Sequence, residues 1–340
     1  MSIDTSETGA DALARDIRRD AAKQKRIAVL IPCYNEEATV GKVIDDFREH
    51  LPEARIYVYD NCCTDRTVEI ALQHGAEIVS EPRQGKGYVV ESMFDQVDAD
   101  FFVMVDGDDT YEASAVRQLL APVMEGRTDM VVGARLSEYT DQSFRPLHVF
   151  GNNLVRWLIN WIFRTKLTDI LSGYRAFNTR VVERIPVVSS GFEVETELTV
   201  QMLYHRLRVV EVQVPYRERP EGSFSKLNTF RDGFRVLWKI FNVFRAFKPL
   251  TFFGVVAILF FVGALAAGIP PIQDYVEHRY VYHVPLAVLA TGLMLLSAGS
   301  LFMGIVLHAM NWQFKELHNV VVRHRLPRSD RAGSSFRGAR

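Results

Sequence analysis

The stretch from Phe101 to Asp109 reads FFVMVDGDD. Its five apolar residues predict a buried β-strand. Three carboxylates, those of Asp106, Asp108 and Asp109, follow within four residues. Like charges this close repel unless a cation offsets them, and oxygen ligands suit Mg²⁺ or Mn²⁺ better than zinc. A solvated acidic turn that caps the next helix is the other interpretation of this stretch taken alone.

Short β-rich runs recur on both sides of this stretch, at residues 27–31, 55–59 and 130–132, and helical patterns lie between them. This alternation predicts an α/β domain with a mainly parallel sheet covered by helices. Ligands bind such sheets at the carboxyl ends of the strands. Polar residues stand there, as in a nucleotide site: Tyr34, Asn35, Glu36, Asp60, Asp106 and Asp108.

The composition of the 340 residues excludes some classes of protein. A net charge of -1 gives no general nucleic-acid footprint, so we expect no nucleic-acid partner. Three cysteines, two of them adjacent, cannot build a disulfide framework, and a reduced cytoplasmic domain is expected. Residues 1–26 are polar and charged, which predicts a leader segment without a secretory signal.

Two long apolar runs follow residue 248. We predict membrane-spanning helices at 249–270 and 284–310, because about 20 apolar residues cross a hydrocarbon core of about 30 Å. A buried core helix is the alternative for each run alone. Basic residues flank the pair, including the basic tail at 311–340, while residues 270–283 carry one Arg. The positive-inside rule therefore predicts an integral plasma- or inner-membrane protein whose catalytic domain and both termini are cytoplasmic.

Two further segments have amphipathic patterns. Residues 230–248 place Phe side chains on one stripe and Arg or Lys on the other, which favours an interfacial helix over one packed on the soluble domain. Residues 147–163 are apolar except for a narrow polar stripe, and contain Trp157 and Trp161. For this second segment, core burial and membrane contact remain equally open.

Seven motifs in register resemble family 2 glycosyltransferases of the GT-A fold, and the last three resemble the dolichyl- and polyprenyl-phosphate sugar synthases within that family. The resemblance covers a GT-A domain at 27–229 and extends to the hairpin. The motifs are Pro32–Glu36, Asp60–Asp65, Gln84–Gly87, Asp106–Asp108, Val132–Arg135, Asp169–Arg175 and Ser225–Leu227.

The resemblance implies an inverting, metal-dependent transfer of a sugar from a nucleotide-sugar, UDP- or GDP-linked, to a polyprenyl phosphate such as dolichyl or undecaprenyl phosphate. Asp106 and Asp108 would hold Mg²⁺ or Mn²⁺. These two residues, Asp169 and Arg175 form the predicted catalytic set. The predicted nucleotide-binding residues are Pro32, Tyr34, Glu36, Asp60, Lys86 and Asp106.

Cationic side chains are the expected ligands of the acceptor phosphate, because a guanidinium presents forked donors to phosphate oxygens. We predict Arg135, Arg145 and Lys226 for this role, with Arg219 as a weaker choice. Asp169 occupies the position of a general base in other family 2 enzymes, and here it either fills that role or orients Arg175 or the sugar. Glu195 and Glu197 could contact the sugar, but a charged helix face is the favoured expectation for both.

Three positions depart from the family pattern. Cys63 stands where Ser is usual, which changes a local hydrogen bond at most. Thr110 replaces the glutamine that mannosyl members often use at the metal, so a third protein ligand and a mannose donor are in question. His148 stands where Ser is common.

Three rival functions follow from the same residues. A transferase acting on a neutral lipid such as ceramide or diacylglycerol would need Asp169 as a base, because its acceptor hydroxyl starts protonated. A processive polysaccharide synthase would need more spans or a homo-oligomer, and oligomeric state is left open. A non-catalytic membrane scaffold is opposed by the intact Asp106, Asp108 and Arg175.

Overall fold

The computed structural model describes residues 25–135, 146–191, 193–217, 241–242, 244–245 and 247–325. Contacts divide the chain into two compact units. The first comprises Met1–Phe144 and Arg156–Leu227, and the second comprises Arg145–Val155 and Asn228–Arg340.

The first unit is built on a seven-stranded sheet with strand order β3-β2-β1-β4-β6-β5-β7. Every strand pair is parallel except the two that β6 makes with β4 and β5. The predicted mainly parallel α/β sheet is therefore confirmed. The strands are β1 Ile27–Cys33, β2 Arg55–Asp60, β3 Glu77–Ser80, β4 Phe101–Met104, β5 Met130–Arg135, β6 Arg175–Asn178 and β7 Val209–Val214.

Helices cover both faces of the sheet. They are α1 Val40–His50, α2 Thr67–Gln73, α3 Lys86–Gln96, α4 Val116–Met124, α5 Pro146–Phe163, α6 Thr179–Arg184 and α7 Val194–Tyr204, and a 3₁₀ turn at Ala113–Ala115 precedes α4. Strand β1 shows why two layers form. Ile27, Val29 and Ile31 join a core with α1 and α4, while Ala28 and Leu30 join a second core with α3 and α7. Side chains alternate across a strand, so a continuous apolar run buries both faces.

The antiparallel strand β6 controls what lies at the functional edge. Arg175, its first residue, pairs with Met104 near the carboxyl end of β4 and with Val132 in β5. Because β6 runs against its neighbours, the segment that precedes it enters the sheet at the edge where β1, β2 and β4 end. The 169–174 motif therefore lies at that edge.

The second unit contains two long helices, α8 Pro249–His278 and α9 Val284–Arg325. Both include segments long and apolar enough to cross a membrane, with mean hydropathy 2.6 and 2.0. Ser297 Oγ donates to the Ala257 carbonyl across the pair at 2.8 Å, and Gly263 lies beside Leu293. Small residues allow this close approach, which is typical of helix pairs in lipid.

Helix α8 extends further than the span predicted at 249–270. It continues through Pro270 and Pro271 to His278, so the predicted connection at 270–283 shortens to residues 279–283. Prolines interrupt backbone bonding locally but are tolerated in long apolar helices. The helix ends instead at Arg279, whose φ of 54° is left-handed, and Asp274 Oδ2 accepts the backbone N–H groups of Tyr282 and His283 at 2.9 Å.

Helix α5 covers residues 147–163, for which the sequence left core burial and membrane contact equally open. Val155, Ile159 and Ile162 are buried, whereas Trp157 and Trp161 are 60% and 54% exposed with their rings stacked. One face therefore packs in protein and the other carries an exposed aromatic pair. Most of the predicted interfacial helix at 230–248 lies outside the described residues. Where it is described, Phe241 and Phe244 pack edge-on against Phe252.

Candidate active site

The ends of β1, β2 and β4 meet at one edge of the sheet. Cys33 and Asp60 are register partners at the ends of β1 and β2, and Val105 donates its N–H to the Leu30 carbonyl at 3.1 Å. The sheet therefore places Pro32, Asp60 and the turn that begins at Asp106 side by side. This edge is the expected ligand position of an open α/β sheet.

The acidic turn has protein partners for each of its carboxylates. Asp106 pairs with Lys86, and Asp109 accepts from Lys42 Nζ at 2.6 Å. Asp108 is only 4% exposed, and its Oδ1 accepts from Thr110 Oγ1 at 2.6 Å. Lys42 and Lys86 thus offset part of the repulsion among the three carboxylates of the turn. Thr110, which replaces the family's glutamine, serves to hold Asp108.

The donor set of this turn fits a hard divalent cation. Asp106 is partly exposed and Asp108 lies two residues away on the same turn. Both would offer carboxylate oxygens, which suit Mg²⁺ or Mn²⁺. Within the described residues there is no group of three or more His, Cys, Asp or Glu side chains arranged to hold a metal. Asp106 and Asp108 would therefore be the two protein ligands of a cation at this turn.

A side-chain hydrogen bond ties the turn to the residue that precedes α1. Thr39 Oγ1 donates to the Gly107 carbonyl at 2.6 Å. A Cβ at Gly107 would stand 2.7 Å from the buried Cys33 Sγ, so a larger residue here would force Cys33 or the turn to shift. The glycine between the two aspartates is therefore a packing requirement of the site.

Lys86 lies between two carboxylates. Its Nζ pairs with Asp106 and stands 2.5 Å from Glu195 Oε1 on α7. The Lys86 and Glu195 side chains are 10% and 6% exposed. Burial alone would lower the pKa of Lys86, but the charges of Asp106 and Glu195 more than offset this, and the pKa is raised. Lys86 is therefore a permanent cation at the acidic turn.

The glycines on either side of Lys86 pack under the loop before α7. Cβ atoms added at Gly85 and Gly87 would stand 2.0 Å from the Ser190 carbonyl oxygen and 1.7 Å from that of Ser189. Gly85 also has a φ of 144°. Glu197 holds the covering loop, since its carboxylate accepts the N–H of Ser189 at 2.7 Å. Helix α7 thus positions Lys86 directly through Glu195 and indirectly through Glu197.

The loops after β1 and β2 are joined into one wall of the site. Asn35 Oδ1 accepts the Thr64 N–H at 2.8 Å, and the Glu36 N–H donates to Thr67 Oγ1 at 2.8 Å. Asp60 Oδ1 accepts the Cys63 N–H at 2.8 Å. The predicted nucleotide residues Pro32, Tyr34, Glu36 and Asp60 are all partly exposed along this wall, within reach of a ligand.

The cysteines of this wall are free thiols. Cys63 Sγ accepts the Asn35 N–H at 3.3 Å and donates to the Cys33 carbonyl at 3.5 Å. Burial raises the pKa of the Cys63 thiol to about 11, so it stays protonated. Cys63 therefore makes local hydrogen bonds of the kind a Ser would make at this position.

Arg135 and Asp169 form a two-point ion pair. Arg135 Nε and Nη2 donate to the two Asp169 oxygens at 2.7 and 2.9 Å, and the Arg135 guanidinium lies over the Tyr216 ring. Burial would raise the pKa of Asp169, but hydrogen bonds and charge from Arg135 offset this and hold the pKa below its ordinary value. Asp169 therefore orients Arg135, and a carboxylate of this kind is a poor proton acceptor.

Two side chains from distant strands and turns hold the segment that contains Asp169. Glu211 on β7 accepts the N–H groups of Thr168 and Asp169 at 2.7 and 2.8 Å. The Tyr111 hydroxyl accepts the Gly173 N–H at 3.2 Å. Gly173 in turn leaves no space for a Cβ, which would stand 2.4 Å from Asp106 Oδ2. The 169–174 segment is thus packed directly against the acidic turn.

Arg175 is fully buried, and this changes the role that its position implies. Its Nε and Nη2 donate to the carbonyls of Ser172 and Ile170 at 2.9 Å, and Nη1 donates to Thr199 Oγ1. The side chain has no exposed atom with which to touch a substrate. The geometry supports a positioning role for Arg175, which braces the Asp169 segment from inside, in place of the predicted catalytic one.

The remaining predicted acceptor residues, Arg145, Arg219 and Lys226, lie outside the described residues. The side chain of His148 does as well. Glu195 was expected on a charged, solvent-exposed helix face. The structure instead buries it against Lys86. Little in the sequence indicated this, because α7 carries two Glu residues in its first turn and nothing local distinguishes the buried one. A buried carboxylate needs a partner, and Lys86 supplies it.

Comparison with known proteins gives consistent matches. The model of the family described as Glycosyl transferase family 2 matches residues 28–185. Glycosyltransferase AglJ of Haloferax volcanii is 31% identical over 281 residues, which are 82% of this chain and 92% of the relative. The dolichyl-phosphate hexose transferase of the same organism is 28% identical over 207 residues, covering 61% of this chain and 89% of the relative.

Solved structures share the fold. Glucosyl-3-phosphoglycerate synthase from Mycobacterium tuberculosis, in complex with Mn²⁺ and UDP-glucose, superposes with a TM-score of 0.54 at 21% identity. The match covers 66% of this chain and 80% of that one. At this identity the likeness establishes the architecture of the sheet and helices.

Proposed function

This chain belongs to glycosyl transferase family 2, and we propose that it transfers a hexose from a nucleoside-diphosphate sugar to a polyprenyl phosphate, with inversion at the anomeric carbon. The product would be a lipid-linked monosaccharide. The observation that carries the choice of acceptor is the Arg135–Asp169 pair. In this pair Arg135 presents a cation at the edge of the sheet. Asp169, the carboxylate best placed to act as a base, is held by Arg135 and has a lowered pKa, so it accepts a proton poorly.

The acceptor chemistry agrees with that pair. A phosphate monoester has a second pKa of about 6, so near neutral pH it is already an oxyanion and can attack without losing a proton. Arg135, kept ionised and held in orientation by Asp169, would grip this phosphate together with the predicted Arg145, Lys226 and Arg219. Positioning and electrostatics can then supply most of the rate. The dolichyl-phosphate hexose transferase among the relatives supports a lipid phosphate of this kind.

The nucleotide would lie along the wall formed by the loops after β1 and β2. Pro32, Tyr34, Glu36 and Asp60 would contact the nucleoside, and Lys86 would stand at the diphosphate. Mg²⁺ or Mn²⁺ held by Asp106 and Asp108 would supply charge stabilisation at the departing nucleotide. A protein of the same fold binds Mn²⁺ with UDP-glucose, which favours this ligand set.

A neutral lipid alcohol is the second acceptor class. Its hydroxyl starts protonated, so Asp169 would have to accept that proton. The low pKa and the two-point bond to Arg135 oppose this role. The two long apolar helices serve either acceptor equally and do not separate the two classes.

We predict that Asp169→Asn retains measurable transfer, reduced about tenfold because Arg135 loses its ionic partner.

With a phosphate acceptor the wild-type rate should rise with pH through about 6 and then level off, following the acceptor's ionisation. The measurement is initial rate against pH for detergent-solubilised protein, with the lipid product weighed by mass spectrometry.

The deciding comparison offers one enzyme preparation polyprenyl phosphate and, separately, the matching free polyprenol, ceramide and diacylglycerol. Exclusive transfer to the phosphate is expected. Transfer to an alcohol and none to the phosphate, or complete loss of activity in Asp169→Asn, would refute the proposed acceptor. The metal and nucleotide assignments would survive that result.

We also propose that both termini and the catalytic unit are cytoplasmic, and that only residues 270–283, which include the end of α8, face the other side. A cysteine placed by Tyr280→Cys should react with an impermeant maleimide on intact cells. A Ser334→Cys tail variant should react only after permeabilisation. The exposed native Cys62 serves as an internal cytoplasmic control. Labelling of the tail variant on intact cells, at the thiol introduced by its substitution, would overturn the topology.

A further inference from the structure

Lys86 forms a buried three-charge cluster with Asp106 and Glu195. The Lys86 Nζ contacts both carboxylates, and the Glu195 and Lys86 side chains are almost wholly buried. Asp106 is the more exposed member and faces the edge where the ligand would lie. The cluster therefore joins one lysine to two carboxylates, and the fully buried Arg175 lies near enough to interact with the charges of both.

Burial of Glu195 is costly unless its charge is matched, because a buried unpaired carboxylate loses its hydration. Lys86 is the cation that its carboxylate contacts, and the backbone around Lys86 is held by the close packing of Gly85 and Gly87. Glu195 thus retains Lys86 at this place whatever Asp106 does. Asp106, in contrast, can exchange Lys86 for another cation without leaving a buried charge unpaired.

From this geometry we propose that Lys86 is the resident counter-ion of Asp106 in the free protein, that Glu195 shares it, and that Lys86 passes from Asp106 to the diphosphate when the metal and nucleotide bind. The inference rests on the proposed function, since it assumes a nucleoside-diphosphate sugar as donor. It assigns Glu195 a positioning role: by taking part of the Lys86 charge, Glu195 loosens the hold of Lys86 on Asp106.

The affinity of the protein for Mn²⁺, measured without nucleotide, separates the role of Lys86 from that of Glu195. Removing both side chains and replacing Glu195 alone should shift this affinity in opposite directions. The double variant Lys86→Met/Glu195→Gln removes the lysine that competes with Mn²⁺ for Asp106. Mn²⁺ should therefore bind this variant about tenfold more tightly than wild type. In Glu195→Gln, Lys86 has only Asp106 as a partner, and Mn²⁺ should bind at least about threefold more weakly. The double variant avoids leaving Glu195 buried without a cation.

Lys42→Met is the matched control. It removes another lysine from the same acidic turn, but one that pairs with Asp109 and Asp46 and is half exposed. Its loss should change Mn²⁺ affinity less than about threefold, since an exposed charge is screened. Free Mn²⁺ is measured by electron paramagnetic resonance on the full chain in detergent, and thermal melting confirms that each variant is folded.

UDP and GDP, each with Mn²⁺, report the second half of the exchange. The double variant should bind its preferred nucleoside diphosphate about ten- to a hundred-fold more weakly than wild type, although it binds Mn²⁺ more tightly. A purely structural role for Glu195 would lower the melting temperature and leave both affinities of the folded protein unchanged.

The outcomes distinguish this inference from the proposed function. Shifts of Mn²⁺ affinity in the same direction for both variants, or a double variant that matches Lys42→Met, would overturn the inference alone. Opposite shifts, with weakened nucleotide binding and no transfer to polyprenyl phosphate, would uphold it and refute only the acceptor. A wild-type protein that binds neither UDP nor GDP would overturn both.

Discussion

Asp106→Asn should lower sugar transfer about a thousand-fold, which corresponds to about 4 kcal/mol in the activation barrier. The substitution replaces a charged ligand by a neutral amide where a divalent cation would bridge to the donor diphosphate. Because Asp106 is partly exposed, its replacement should leave the fold intact. Turnover with saturating nucleotide-sugar and polyprenyl phosphate measures the effect, and chelation by EDTA should produce a similar loss in wild type that added Mn²⁺ or Mg²⁺ restores.

Asp109→Asn is the matched control for that experiment. It removes the same charge from the same turn, but Asp109 pairs with Lys42 and is not a predicted ligand. Its backbone has a φ of 55°, which Asn tolerates. Activity should remain within about threefold of wild type. Equal losses in the two variants would show that the turn's overall charge matters and not a metal ligand at Asp106. Full activity of wild type in EDTA would show that transfer needs no divalent metal.

Asp108 is a less informative position than its sequence suggests. The family resemblance implies that Asp106 and Asp108 both hold the metal, but Asp108 is buried and its carboxylate accepts a hydrogen bond from the Thr110 hydroxyl. Asp108→Asn would therefore combine loss of a metal ligand with disturbance of the turn itself. The partly exposed Asp106 allows the chemistry to be tested separately.

Gly87→Ala should destabilise the catalytic unit by about 3 kcal/mol and abolish tight nucleotide binding. The added Cβ would stand 1.7 Å from the Ser189 carbonyl oxygen and 2.6 Å from its carbon. Both neighbours are backbone atoms, so the covering loop or the first turn of α3 must move. Lys86 is the adjacent residue and would move with it. Thermal melting and the affinity for UDP or GDP with Mn²⁺ measure the two effects.

Gly126→Ala separates that clash from ordinary backbone strain. Gly126 has a φ of 70° and nothing within 4 Å of the position its Cβ would take. Its replacement should cost about 1–2 kcal/mol through the left-handed backbone alone and leave nucleotide affinity unchanged. A Gly87→Ala protein as stable as wild type, or one that binds nucleotide normally, would show that the loop before α7 yields easily and does not position Lys86.

The sequence was sufficient to predict features that depend on a local pattern, such as a strand, a helix or the carboxylates of a single turn. The alternating β and helical patterns predicted four of the strands, and the carboxylates after Val105 marked the ligand edge, because parallel strands end at a common edge. The apolar runs predicted the C-terminal hairpin on length alone. Strands β3, β6 and β7 were not predicted. Strands β3 and β6 have only four residues each, too few for a clear periodicity, and the six-residue β7 has mixed exposure along its length.

Which charged side chains pair with each other follows from the tertiary structure and could not be inferred from the sequence. Strand β6 runs antiparallel between β4 and β5, and this brings Asp169 to Arg135, 34 residues away in the chain, where the sequence allowed Asp169 to act as a base or to orient Arg175. Helix α7 likewise carries Glu195 to Lys86. Such pairs leave no local periodicity, because a partner distant in sequence is chosen by strand order and by the cost of burying an unmatched charge.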